Sequence, residues 1–394
     1  MSARSTQVAI VGAGLAGLYA AWLLERHGLA DYVLLEARAI PGGRIATFDL
    51  ADGRDSGAAG SRDRFDLGPA WFWPDYQREM HGLIDRLGLE RFAQHEAGDM
   101  MFERSSQTAP ERALGYVNSP ASMRLSGGMG ALIDVLYRTL GPERVVTGQV
   151  VRRMRVNGGH VELESEDSEG RVSGRRAGHV LLALPPRLAV GTITFEPALP
   201  RALAEQWGAT PTWMAPHAKY IAVYDAPFWR EHGLSGEARS TRGPMGEIHD
   251  ASIPGGRAAL FGFLGVPAQV RRDVGDEALR AHCRAQLVRL FGPQAAMPCA
   301  DVIKDWAQDP YTSTAADMDA SGHHAAAPPA VAAAGPWQTR LTGIASEWSP
   351  QFPGYVAGAI EAAGIGVRAM LAGPAATHAS PRPQAAPETK GNPQ

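Results

Sequence analysis

Residues 8–28 read VAIVGAGLAGLYAAWLLERHG, an apolar run, a glycine turn and then apolar residues at helical spacing that stop at Gly28. With Tyr32 to Glu36 following as a second apolar run, the pattern predicts a strand, helix, strand unit. Gly12, Gly14 and Gly17 fall where the strand turns into the helix. Small residues at that turn let backbone approach a pyrophosphate, and the helix N-terminus offers free N–H groups and a positive dipole end. Glu36 ends the second strand, where a carboxylate accepts hydrogen bonds from ribose hydroxyls and disfavours a 2'-phosphate. A dinucleotide is therefore expected, and NADP is not.

Outward from this unit, the bulk properties describe an ordinary globular protein. The chain has 394 residues, 45% hydrophobic and 20% charged, with a formal charge of -3. That length predicts two domains, and the near balance of charge gives no nucleic-acid footprint. No apolar run is long enough to span a bilayer, and the residues before the first strand are too few for a secretory signal. Cys283 and Cys299 form neither a disulfide framework nor a metal set, and His323 and His324 lack ligands at zinc spacing. A cytoplasmic location is expected, with no metal. Only three of the 38 basic residues are lysines, so Lys219, Lys304 and Lys390 stand out.

Directly after Leu35, EARAIPGGR places Arg38, Gly42, Gly43 and Arg44 in a second close-approach loop, which a lone nicotinamide site does not need. The sequence resembles the extended phosphate signature of the flavin amine oxidase family, in which this Arg neutralises pyrophosphate charge. Further pieces follow in the family's order: FDLGPAWFWP, SGGMGALIDVL, VVTGQVV, HVLLALPP, KYIAVYDAPFWRE, DWAQDPY and ASEWSPQFPGYVAGAIEAA. The resemblance implies an α/β fold, a Rossmann-type FAD-binding domain with an inserted mixed α+β substrate domain. It implies FAD contacts at Gly12, Gly14, Leu15, Gly17, Glu36, Ala37, Arg38, Gly43, Arg44, Gly68, Pro69, Ala70, Trp71, Val150, Glu347, Tyr355 and Val356. Glu347 matches the acid of the family's AGTE element, near the ribityl and phosphate groups.

The cofactor domain is expected over 1–74, 142–190 and 300–372, and the substrate domain over 75–141 and 191–299. Helices are expected from a cap at Asp75 to Gly88 and from Gly130 to Gly141. Strands are expected within 145–184 and 215–265, and a helix from Glu277 to Phe291. Ala315 to Pro336, dense in Ala and Pro, and the tail 373–394 read as unstructured.

The resemblance also implies the chemistry: loss of hydride from an amine α-carbon to flavin N5, with reoxidation by O2 yielding hydrogen peroxide and an imine or aldehyde. Lys219 opens the strand KYIAVYD on the face of Ile221 and Val223, so its amine is expected to be buried. The matching family lysine holds a water against flavin N5. Trp306 resembles the Trp beside that lysine, and Tyr355 the aromatic wall facing the amine. Counting without gaps, the second cage aromatic falls on Ala316, leaving the cage half open, and the flavin-linking Cys slot falls on Ala315, so non-covalent FAD is expected. GPAWFW lacks the Arg that pairs with a carboxylate in the amino acid oxidases, which favours an amine without an α-carboxylate; Arg239 or Arg242 is the alternative source of that charge. Two rival functions remain: a flavin desaturase or dehydrogenase of a large apolar substrate, and an inactive flavoprotein with a binding role. Oligomeric state is not legible.

Overall fold

The computed structural model describes residues 4–50, 63–318 and 326–373. Strand β1 (Arg4–Val11), helix α1 (Leu15–Arg26) and strand β2 (Tyr32–Leu35) form the expected unit, with β1 and β2 parallel and Val8 opposite Tyr32. Ile10, Leu18, Leu24 and Leu34 are fully buried, because α1 is covered by the sheet on one side and by other helices on the other. Two sheets carry the molecule. The first has eight strands, in which β1 runs parallel to β2 and to the long strand Val172–Leu182. Strands Val150–Asn157 and His160–Glu166 extend it antiparallel, and Leu341–Gly343 joins the end of Val172–Leu182.

The second sheet has seven strands, ordered Ala300–Asp305, Ala218–Tyr224, Ala258–Leu264, Met245–Asp250, Leu234–Ser240, Asp99–Glu103 and Glu111–Ala113. Helix Asp276–Phe291 covers one of its faces, packing Leu279, Leu287 and Phe291 on Tyr220 and Trp229. The other face presents Ile221, Val223 and Phe261 to Phe48, Phe65 and Leu67. Lys219 lies on this second face by alternation, as its sequence position predicts. The fold is thus α/β, a Rossmann-type sheet with a second, mixed region.

Several expectations are corrected. Helices Arg78–Arg86 and Gly130–Thr139 do not pack with the second sheet: Met80, Leu83, Leu132 and Leu136 join α1 and helix Val356–Ala372 in the core beside the first sheet. Strand Thr194–Glu196 pairs with Val150–Asn157, so the first sheet continues past residue 190. Strand Ala300–Asp305 pairs with Ala218–Tyr224, so the second sheet runs past residue 299. The first of these helices is capped at Gln77 rather than Asp75, and the Gln77 side chain accepts a hydrogen bond from the Trp73 N–H. Residues 315–318 are helical, with Asp317 fully buried against Arg187, and 326–336, though largely exposed, is anchored by buried Ala332 and by the Pro329 carbonyl, which accepts from Trp207. Residues 319–325, which include His323 and His324, and 374–394 lie outside the described residues. Among the described residues, no helix is long and apolar enough to cross a membrane, and no three His, Cys, Asp or Glu converge as metal ligands.

Gly17 shows how tightly the first turn is built, because a Cβ there would sit 1.9 Å from the Gly12 carbonyl oxygen. Gly17→Ala is expected to destabilise the protein by about 3 kcal/mol, an overpacking cost against backbone that cannot yield. Gly28→Ala, with open space around it, is expected to cost about 1 kcal/mol from its positive φ alone. Urea unfolding of the two variants measures the contrast.

Candidate active site

A cavity of about 790 Å³ runs between the two sheets. At one end it is walled by Gly12, Gly14, Leu15, Glu36, Ala37, Arg38, Gly43 and Arg44, with Val150 from a neighbouring strand. Gly12 has a φ of +103° and backs onto the Ala183 carbonyl, so no side chain fits there. Gly14 bridges Gly42, and a Cβ on Gly43 would stand 3.1 Å from the Gly14 Cα, which brings the two glycine turns together as one cradle. Helix α1 starts at Gly14 with no side-chain cap, leaving its first N–H groups for a ligand. Both Glu36 oxygens already accept backbone N–H groups, from Ala13 at 2.7 Å and Arg38 at 2.9 Å, which fixes the carboxylate and leaves lone pairs for hydroxyls.

Two expected contacts sit one layer back. Gly17 does not line the cavity; it packs the helix onto the Gly12 carbonyl. Glu347 does not line it either: it is buried and grips Arg44 through two hydrogen bonds, 2.5 and 3.1 Å, while Ser346 takes a third. Glu347 therefore aims the guanidinium. Arg38 is held likewise by Asp309 at 2.7 Å and Thr312 at 3.1 Å.

Gly68, Pro69, Ala70, Trp71, Lys219, Trp306, Tyr355 and Val356 wall the other end. Lys219 is 3% exposed, and its ammonium donates to the carbonyls of Asp66 and Gly68, each at 2.8 Å, beneath the Phe261 ring. Burial lowers its proton affinity, against the pull of Asp66 and with the push of Arg124, to a pKa of about 7. Trp306, just past the end of strand Ala300–Asp305, donates to the Leu67 carbonyl, so it and Lys219 hold the same loop. Helix Val356–Ala372 starts at Tyr355, also uncapped by any side chain.

Four residues of this end escaped sequence reasoning. Trp213 packs on Tyr355 with ring centroids 4.8 Å apart; Met214 and His217 follow it in the same turn, and Glu247 enters from the strand beyond Phe263. The signal for the first three was the stretch PTWMAPH, two prolines around aromatic and imidazole groups just before Lys219. Ala316 is not in the wall; its carbonyl accepts from Arg187. Trp213 takes the place beside Tyr355 from another element. Arg239 and Arg242 do not reach the cavity, because Arg239 pairs with Glu237 and Glu247 and Arg242 with Glu103.

The glycine turns with Arg44, and a buried amine with aromatic walls, line one and the same chamber. The family model for flavin containing amine oxidoreductases matches residues 92–371, and one for an NAD(P)-binding Rossmann-like domain matches 10–87. The chain belongs to the flavin-containing amine oxidoreductase family. It is 30% identical to putrescine oxidase of Kocuria rosea over 51% of this chain and 44% of that protein. It is 26% identical to a flavin-containing amine oxidase of Danio rerio, over 71% and 52% respectively. The chain spans about half the length of the curated relatives it matches. A solved putrescine oxidase structure superposes with a TM-score of 0.76 at 21% identity, covering 94% of this chain and all of the other. Cyclohexylamine oxidase from Brevibacterium oxydans does so at 0.73 and 20%, covering 93% and 98%.

If Glu347 acts by aiming Arg44, the double variant Arg44→Ala, Glu347→Ala is expected to bind flavin no more weakly than Arg44→Ala alone, with Glu347→Ala itself weaker than wild type by about tenfold; fluorescence titration of the apoprotein reads the cycle. A second expectation concerns pH. The folded-state pKa of Lys219, about 7, lies below its unfolded value, so the unfolded chain binds the extra proton between pH 7 and about pH 10.4. Stability is lowest at and below pH 7 and rises with pH through that window. Lys219→Met is expected to remove this slope, measured as the wild-type minus variant difference in urea unfolding of the apoproteins.

Proposed function

We propose that the protein is an FAD-dependent amine oxidase that holds FAD without a covalent bond. The observation carrying this is the single chamber in which the glycine cradle and Arg44 stand at one end and the buried Lys219 amine at the other. The residues fit the group: Glu36 is placed for ribose hydroxyls, the α1 N-terminus and Arg44 for the pyrophosphate, Val150 for the adenine end, and Gly68 to Trp71 with Tyr355 and Val356 for the ring. Neither Cys283 nor Cys299 lines the chamber, so no thiol stands where it could link the flavin. When bound, FAD supplies the acceptor for the hydride lost from the amine α-carbon and passes the electrons to O2.

The protein's own part is geometric and electrostatic. Lys219 holds the Asp66 to Gly68 loop and offers its remaining hydrogen to a water facing the ring. Trp71, Trp213, Phe263 and Tyr355 exclude bulk water and present aromatic faces to an amine. Glu247 supports an amine lacking an α-carboxylate. Burial opposes its ionisation, yet His249, 2.6 Å away, and Arg239, at 2.5 Å, outweigh that and bring its carboxyl down to about 2. With Arg239 held on Glu247, its guanidinium is not offered to a substrate carboxylate. Ala316 lies outside the chamber wall, so its small side chain gives no support to an inactive protein. The first sheet with its helices is proposed as the cofactor domain and the second sheet as the substrate domain. A cytoplasmic setting is consistent with Cys283 and Cys299 both being free.

The test mixes the yellow holoprotein anaerobically with amines that lack or carry an α-carboxylate. Bleaching by the former, then peroxide formation in air, is expected; a flavin that no amine bleaches overturns the proposal. Lys219→Met is expected to slow reoxidation by O2 at least tenfold more than reduction by amine, in stopped-flow absorbance. Acid precipitation is expected to leave a colourless pellet, whereas a yellow one means a covalent link.

A further inference from the structure

The strand that carries Lys219 is preceded, two residues earlier, by an imidazole that the proposal above does not use. His217 lines the chamber beside Met214, Lys219 and Trp306. Its backbone is fixed on both sides, since its N–H donates to the Met214 carbonyl and its carbonyl accepts from the Trp306 N–H. Met214 is the one described non-glycine residue with positive φ, +63°, so the chain bends sharply to bring Trp213 and His217 into the same wall. The ring is not tied down in the usual way. Its Nδ1 is buried against the Met214 carbonyl, and no hydrogen bond joins Nε2 to a described residue.

An amine oxidised at its α-carbon must first become neutral, because the nitrogen lone pair supports departure of the hydride. Simple alkylamines arrive as ammonium ions, with pKa values of about 10 like that of a lysine side chain. The chamber must therefore take up a proton, and its other ionisable groups are poorly placed to do so. Glu247 is engaged by Arg239 and His249. Lys219 faces two carbonyls as a donor. Tyr311 and Tyr355 are phenols with protons of their own, and Glu36, Arg38 and Arg44 belong to the cradle end. Behind His217, Arg271 donates to the Pro216 carbonyl at 2.8 Å and is itself matched by Asp305 through two bonds, 2.8 and 2.6 Å.

We propose that His217 is the proton acceptor of the chamber. The ammonium N–H bond breaks with its electron pair left on the amine nitrogen, an Nε2–H bond forms on the imidazole, and the proton then passes to solvent; no electrons are exchanged in this step. Burial first, and Arg271 second, favour the neutral ring, against the Met214 carbonyl, so His217 is in its accepting form at neutral pH. An acceptor less basic than the amine acts as a relay rather than a store, which suits repeated turnover. This assignment rests on the amine oxidase proposal.

The experiment uses tert-butylamine, which has no hydrogen on its α-carbon and so binds without being consumed. Calorimetry of the holoprotein in buffers of different ionisation enthalpy counts the protons released. Wild type is expected to release close to one proton per amine at pH 7. Because a relay changes the rate of proton transfer and not its end state, His217→Ala is expected to release as many protons, to slow anaerobic flavin reduction by an oxidisable amine at pH 7 at least tenfold, and to recover that rate on addition of imidazole. His217→Asn, which keeps a polar side chain of similar size but no base, is expected to show the same loss, and it decides the matter if the Ala variant sheds its flavin. The apparent pKa of the reduction is expected to rise by about one unit in both variants. An unchanged rate and a superimposable pH profile in enzyme that amines still reduce overturn the role of His217 and leave the oxidase proposal standing. A wild type that releases a proton on binding tert-butylamine, yet that no amine reduces, overturns the oxidase proposal. Where tert-butylamine does not bind the wild type, the rate and pH profile of reduction by the oxidisable amine decide on His217 alone.

Discussion

The Lys219 ammonium, donating to the carbonyls of Asp66 and Gly68, is the contact on which the geometry of the chamber turns. Lys219 belongs to the second sheet, whereas the loop it holds leads from the cofactor cradle. The loop is pinned from its other side as well, since a Cβ on Gly68 would lie 2.1 Å from the Arg44 carbonyl. Gly68 is thus caught between the backbone of the phosphate loop and a buried amine. Burying that amine is costly, and two carbonyls with the face of Phe261 offset only part of the cost. The cost is met because the same atoms fix the distance between the two halves of the chamber.

The cradle end was legible in the sequence because its chemistry is backbone chemistry. Gly12, Gly14, Gly42 and Gly43 are required by approaches of a few ångströms between chain segments close in sequence, and such approaches leave a local mark. Lys219 was legible for a different reason, as one of few lysines and at an alternating position. The opposite wall was not. Glu247 reaches the chamber through sheet register alone: Lys219 pairs with Phe263, Phe263 with Glu247, and Glu247 with Arg239, one row across four strands. Nothing in the local sequence around GEIHD announces that row, because register is set by the whole sheet.

Counting along the chain also misled where tertiary structure substitutes one element for another. Ala316 fell in the slot of a cage aromatic by ungapped position, yet the ring beside Tyr355 is Trp213, a hundred residues earlier. The helical patterns carrying Met80 and Leu132 suit a helical substrate domain when read from the sequence alone. Their apolar stripes instead meet α1, since a stripe packs on the nearest uncovered apolar face whatever the order of segments.

The Ala-rich segment around Asp317 shows how such a substitution is stabilised. A positive φ at Met214 carries a cost of about 1–3 kcal/mol, and a bend of that kind persists only where surrounding contacts over-determine it. Asp317 supplies them: its Oδ1 accepts the Thr212 N–H at 3.0 Å and pairs with Arg187 at 2.7 Å, and its Oδ2 accepts from Thr314. Arg187 in turn donates to the Gly208 and Ala209 carbonyls, closing the base of the turn. On the far side Gly354 has a φ of +82°, and a Cβ there would stand 3.1 Å from the Trp213 Cβ and press on the ring that packs against Tyr355. The segment that looks least structured by composition is therefore the anchor of the turn that presents Trp213 and His217. Its ordering follows from one buried carboxylate whose two oxygens are both hydrogen-bonded here.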